Sequence, residues 1–215
     1  MVLWTIQPES VYRQIMETGS YHFDPEKSAL YSDFRDAYFW METEMRKRYI
    51  VPSSAFGETE PLVWAWHTWD GKRQVPEYQD EMFRIDGKEE KPVCLEIEVP
   101  DENVLLSDFN AWHFVLNDSY LDDSHNEEEF EKMHAEFDAL SLKEKEEKKH
   151  ASWQSIFDVS QYTIGDGWRV NGFYVQAVFY GLKKEQILNV YREATTSGYF
   201  HGGSTRFLES VRGLG

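Results

Sequence analysis

The stretch from Lys91 to Asn117, KPVCLEIEVPDENVLLSDFNAWHFVLN, constrains the fold more than any other part of the chain. Val93, Leu95, Ile97 and Val99 alternate with Cys94, Glu96 and Glu98, the period of two that gives a strand one apolar and one polar face. Pro100 and Asp101 break the strand, and the apolar run Val104 to Leu106 reads as a second one. Ser107 or Asp108 then stands where a helix N-cap belongs, ahead of Trp112, Val115 and Leu116 at helical spacing. Strand, turn, strand and capped helix within one short window predict a local folding unit.

Other elements are placed around it. Leu3 to Ile6 predicts a short strand, and Pro8 starts a helix with Val11, Tyr12, Ile15 and Met16 on one stripe and Gly19 as its stop. Phe34, Ala37, Tyr38, Met41 and Met45 predict a helix from Asp33 to Arg48, acidic early and basic late as the helix dipole prefers. Leu62 to Trp69 reads as a buried strand, and a short helix is expected around Tyr78 to Phe83. Asp122 to Lys149 holds many carboxylates but keeps Phe130, Met133, Phe137 and Leu140 at helical spacing, and Ser141 to Glu144 fits a capping box. A projecting acidic helical pair is therefore expected, ending in Trp153, Ile156 and Phe157. Near the end, Trp168 to Val170 and Phe173 to Tyr180 read as a hairpin through Asn171-Gly172, and Lys183 to Glu193 as a helix with Ile187, Val190 and Tyr191 inward.

Strands and helices mix without regular alternation, so the expected class is α+β: small mixed, mainly antiparallel sheets flanked by helices. Residues 1–198 are expected to form one domain with the acidic helical insert at about 122–157, and 199–215 a mobile tail containing Gly and Ser.

The formal net charge of −17 opposes direct docking on nucleic acid or an anionic membrane. Cys94 is the single cysteine, so no intrachain disulfide and no cysteine-based zinc site can form. The first ten residues lack the basic-then-apolar pattern of a secretory leader, and the expected compartment is the cytoplasm.

The chain carries no Walker loop, no G-x-G-x-x-G, no H-E-x-x-H and no G-x-S-x-G, and no metal site is expected. What remains are polar residues set among aromatics: Thr5, His67, Asp108, Trp112, His113, Asp158 and Gln176. Each has an ordinary structural role as its competitor. The tryptophan is core, the histidines are hydrogen-bonded and partly buried, Asp108 is a helix cap, and Gln176 is a strand residue with its amide satisfied nearby.

The segments LWTIQ, EIEVPD, VLLSDFNAWHFVLN, WQSIFD and VQAVFY, spread from Leu3 to Arg192, resemble a family of bacterial proteins known only as a domain of unknown function. A second, weaker resemblance is to the ADP-ribosyltransferase fold. It rests on Leu3 to Gln7 followed by the helix to Gly19, and on Val175 to Phe179 followed by Lys183 to Ile187. That resemblance implies NAD or a related nucleotide as ligand. It also puts Gln176 where the family's key glutamate would fall, and Trp4 or Thr5 where the family's first-strand histidine or arginine would stand. A neutral amide holds a hydroxyl but does not offset the positive charge that glycosidic cleavage develops; Asp108, Asp158 or Glu98 are the alternative carboxylates.

Two functional readings follow. In the first, Thr5, His67, Trp112 and Gln176 line one nucleotide pocket. In the second, the chain is a non-catalytic interaction module whose acidic helical pair meets a basic protein partner.

Overall fold

A computed structural model describes residues 1–21, 33–53, 62–77, 91–122, 124, 126–164 and 169–192. The fold is α+β. Strand β1 (Val2–Pro8) leads directly into helix α1 (Glu9–Thr18), and Gly19 closes that helix in the left-handed conformation at φ 91°. Helix α2 (Arg35–Lys47) is followed by β2 (Leu62–Thr68), β3 (Pro92–Glu98), β4 (Leu105–Asp108) and helix α3 (Phe109–Leu116). The acidic region forms α4 (Glu127–Asp138) and α5 (Leu142–Ser152), then a 3-10 turn at Trp153–Phe157. Strands β5 (Tyr162–Ile164), β6 (Arg169–Asn171), β7 (Val175–Tyr180) and β8 (Ile187–Tyr191) complete the described chain.

Six strands form one sheet in the order β4-β7-β2-β1-β3-β8, while β5 and β6 pair separately. Every pairing among the described strands is antiparallel. One face of the large sheet presents Leu3, Val63, Ala65, Leu95, Ile97, Ala177 and Phe179, and Ile15 of α1 is buried against them. The other face carries two clusters. Leu105 and Val178 are buried with Met41, Met45, Trp112, Val115, Trp153 and Ile156 from α2, α3 and the 3-10 turn. Trp4, Trp66, Trp69 and Cys94 form the second cluster. Both sides of the sheet are therefore covered. This explains why Cys94, on the nominally polar side of β3, is fully buried, and why burial beside Glu96 pushes its thiol up to about 12.

The unit from Lys91 to Asn117 folds much as its pattern requires, and Asp108 rather than Ser107 supplies the cap. The capping box at Ser141 and Glu144 forms as well. Two expectations are corrected. Lys183 to Glu193 is not a helix: a 3-10 turn at Lys184–Gln186 leads into β8, which pairs with the open edge of β3. Ile187, Val190 and Tyr191 satisfy helical spacing, but a run this short also serves as a strand, and an unpaired sheet edge decides the matter. Nor does Asn171-Gly172 turn a hairpin. Strand β6 pairs with β5, whereas β7 lies in the large sheet between β4 and β2. The short helix expected around Tyr78 to Phe83 and the tail expected at 199–215 lie outside the described residues.

No helix among the described residues is long and apolar enough to cross a membrane.

Candidate functional site

Residues paired directly across neighbouring strands share a face. Following the register through the large sheet gives one continuous row: Ser107 on β4, Gln176 on β7, Trp66 on β2, Trp4 on β1, Glu96 on β3 and Asn189 on β8. Polar side chains occupy both ends of this row and two indoles its centre. Gln176 Nε2 donates to Ser107 Oγ at 3.1 Å. At the other end, the Glu96 carboxylate accepts from Tyr191 Oη at 2.5 Å and from Asn189 Nδ2 at 3.2 Å. The hydrogen bond to Glu96 holds the Tyr191 hydroxyl in its protonated form and lifts it to about 12.

The middle of the row is a seam. Strand β1 pairs with β3 along its whole length but meets β2 in register only at Trp4 and Trp66. On one side of that contact the Thr5 hydroxyl donates to the Trp64 carbonyl at 2.8 Å, and Gln7 Nε2 donates to Thr5 Oγ1 at 2.7 Å. On the other side the Arg73 guanidinium donates to the carbonyls of Val2 and His67. It also lies over the Trp4 ring, 5.2 Å from the centroid. Side chains thus replace the backbone ladder where the two halves of the sheet part. Arg73 reaches the seam because Asp70 and Gly71, at φ 50° and 71°, turn the chain directly after Trp69.

Around Trp66 the rings meet edge to face: Trp69 at 4.7 Å and Phe109 at 4.8 Å, with Tyr174 5.2 Å beyond Trp69. The seam also holds two donors with nothing to donate to. Trp4 Nε1 and Trp64 Nε1 are buried and have no hydrogen-bond acceptor among the described residues. Trp4 itself is only 7% exposed. A buried N–H without a partner costs about 1–3 kcal/mol. Native structures leave few such groups, and each one requires an explanation.

The sequence-derived candidates do not gather in one place. Thr5 lies across the sheet from Gln176, on the face that α1 covers, where it is fully buried in the seam bonds just described. His67 sits at the bulge where β2 loses register with β7, its Nδ1 2.9 Å from Thr68 Oγ1. Burial, with Arg73 beside it, lowers its pKa to about 4. Asp108 caps α3, which carries Trp112 and His113. Asp108 is fully buried, with Oδ1 accepting from the Ala111 N–H and Oδ2 from the Gly172 N–H, both at 2.8 Å. Trp112 packs on Trp64 at 5.1 Å in the core, and His113 Nδ1 lies 2.9 Å from the Phe109 carbonyl. Asp158 is not one of the row residues. It accepts from the Ser160 N–H at 3.0 Å, while its carbonyl accepts from Asn171 Nδ2. Only Gln176 belongs to the row itself.

Glu96, Arg73, Trp66 and Asn189 are the row and seam residues that sequence reasoning passed over. Asp70-Gly71 was the one local signal available for Arg73, since a D-G pair marks a tight hairpin turn. Among the described residues no cluster of His, Cys, Asp and Glu could hold a metal ion. A cavity of about 280 Å³ at another part of the fold, lined by Ile50, Val99, Asn103, Tyr180 and Lys183 among others, includes none of the six row residues.

Residues 2–188 match the family model described as Domain of unknown function (DUF3841). The chain belongs to this family. The DUF3841 match spans all six row positions except Asn189 and includes both seam tryptophans. No curated protein and no solved structure matches the chain. Family membership therefore carries the uncharacterised-domain resemblance alone; neither a bacterial source nor an ADP-ribosyltransferase relationship follows from the DUF3841 match.

Proposed function

We propose that this DUF3841 domain binds a small molecule over the β1–β2 seam, and that the ligand is a nucleotide of the NAD class. The observation that carries this reading is the buried, unpaired indole N–H of Trp4 at the centre of the row. A ligand oxygen or ring nitrogen accepting from it turns a destabilising group into a binding group. Trp66 and Trp4, although buried, are the rings against which a base or nicotinamide ring would stack. Asn189, at the exposed end of the row, offers an amide to a ribose hydroxyl, while Ser107 and Gln176 are buried and bonded to each other. Aromatic walls with a few convergent polar groups are the usual make-up of a small-molecule site.

Glu96 is the one carboxylate of the row, and it gives the site a fixed negative charge beside Trp4. A transferase-type use of the site assigns the offsetting of positive charge on the sugar to Glu96 and leaves Gln176 as a hydrogen-bonding group. Asp108 is unsuited to that task, since both of its oxygens are occupied by backbone donors.

Thermal-shift measurements with NAD, ADP-ribose, AMP and ATP test the reading. At a ligand concentration of a hundred times Kd, stabilisation of about 2.7 kcal/mol raises Tm by several degrees. Trp4→Phe keeps a ring but removes the donor, and should abolish the shift. If no nucleotide of the panel moves Tm, the reading fails.

A further inference from the structure

The turn that carries Arg73 is fastened to the fold independently of Arg73 itself. Trp69 and Lys72 exchange both backbone hydrogen bonds across it, at 2.9 and 3.1 Å. The Gly71 N–H donates to the Phe173 carbonyl at 2.8 Å, and the Gly71 carbonyl accepts from Gln161 Nε2 at 2.9 Å. Gln74 Nε2 donates to the Trp69 carbonyl at 3.2 Å. The guanidinium is then fixed by the Val2 and His67 carbonyls and by the Trp4 ring. Its position is set before any ligand arrives, which removes part of the ordering cost of binding.

That position leaves the charge of Arg73 unanswered. The chain has 39 acidic residues against 22 lysines and arginines, so a cation readily finds a carboxylate. Arg13 and Arg192 pair with Glu9, Arg46 with Glu42 and Arg48 with Glu44. Arg35, exposed at the start of α2, pairs with none among the described residues, but nothing anchors it either. Arg73 is anchored and still pairs with no carboxylate among the described residues, although Asp70 and Glu77 lie on its own segment. Two of its N–H donors go to the carbonyls, and the exposed side chain has further donors that no described residue accepts from. The ring beneath it is the one whose Nε1–H lacks an acceptor. With the guanidinium 5.2 Å from that ring's centroid, a cation and an unpaired donor stand together at the seam.

We propose that Arg73 and Trp4 Nε1 are the phosphate-recognition element of the seam, with a phosphoryl group of the ligand accepting from both. A phosphoryl group brings negative charge and several acceptor oxygens, and the planar fork of arginine matches it better than a point charge does. This inference rests on the nucleotide reading for what the phosphate is attached to, and it gives that ligand a direction. Arg73 flanks Trp4 on the β2 side of the seam and Glu96 on the β3 side. Glu96 repels phosphate, so the phosphates lie toward β2 and the ribose toward β3. Arg73 is thereby the residue that selects nucleotides over nucleosides.

The test uses the full chain and inorganic pyrophosphate, monitored through the Trp4 indole N–H resonance, which its loss in Trp4→Phe identifies. Pyrophosphate should shift that resonance, and sodium chloride at matched ionic strength should not. Arg73→Met should abolish the shift. Arg73→Lys, which keeps the charge without the fork, should still show it at about tenfold weaker affinity. In calorimetry the parent should bind ADP-ribose at least about tenfold more tightly than adenosine, and Arg73→Met should lose that preference. A purely structural Arg73 would weaken both ligands alike and keep their ratio, which overturns the proposal. So does a pyrophosphate shift that survives in Arg73→Met. If NAD moves the Trp4 resonance and pyrophosphate does not, the nucleotide reading stands and the phosphate element falls. If pyrophosphate moves it and no nucleotide does, the phosphate element stands and the nucleotide reading falls. If neither moves it, both fall.

Discussion

The Asp108 clamp and the Trp4 seam both place polar groups in the interior, and they treat them in opposite ways. At the clamp, each carboxylate oxygen of Asp108 receives a backbone N–H, one opening α3 and the other from Gly172. Gly172 sits at φ 71°, and a Cβ there would come within 2.6 Å of the Val159 and Ser160 carbonyls, so the approach is close and built for glycine. At the seam, donors are buried and left over. A polar group whose bonds are complete holds the fold together; one whose bonds are incomplete is available to something else. On that distinction Asp108 is structural and Trp4 is the candidate for function; Glu96, bonded to Tyr191 and Asn189, is a candidate only by its charge and its place beside Trp4.

Mutations can break this contrast or sharpen it. The largest effect is expected at the clamp. Asp108→Ala removes a helix cap and leaves the Gly172 N–H buried without a partner, which should cost about 3 kcal/mol in urea unfolding. A loss below about 0.5 kcal/mol would show that the clamp does not support the fold. At the seam, Arg73→Met leaves the Val2 and His67 carbonyls to water and should cost about 1 kcal/mol by the same measurement. Trp4→Phe should do the reverse of Asp108→Ala. It deletes an unpaired donor, so stability should hold or rise by up to about 1 kcal/mol, while nucleotide binding is lost. Glu96→Gln should leave folding nearly unchanged and weaken NAD binding about tenfold in calorimetry; unchanged affinity would remove Glu96 from the site.

The smallest effect concerns pH. His67 has a folded pKa near 4, below its ordinary value of 6.5, because burial and Arg73 disfavour the imidazolium. The unfolded chain therefore binds more protons between these two values, and stability should fall as pH drops from about 6.5 toward 4. Above about 6.5 the contribution is complete and flat. His67→Asn should reduce the slope in that window, and an unaltered slope would show that His67 is not its source.

How much of this could be read from the sequence follows from the range of the interactions involved. The strand–strand–helix unit at Lys91 to Asn117 was legible because its pattern, its break at Pro100 and its cap at Asp108 are all local. The capping box of α5 was legible for the same reason. Strand β8 was not, because its identity depends on the edge of β3, almost a hundred positions earlier in the chain. The row of six was hidden altogether. Each of its members is unremarkable within its own strand, and only the pairing of six strands from across the chain brings Glu96 beside Trp4 and Gln176 beside Trp66. The sequence puts Thr5 and Gln176 in one pocket, yet one-residue differences in phase set them on opposite faces.

The most direct measurement is a nitrogen-correlated NMR spectrum of the tryptophan indole N–H groups, with the Trp4 resonance assigned by its absence in Trp4→Phe. Titrating NAD into the parent chain should shift that resonance progressively as its proton gains an acceptor. If NAD shifts none of the indole signals, or shifts others and leaves Trp4 where it was, the Trp4 donor is not what the ligand meets and the site lies elsewhere.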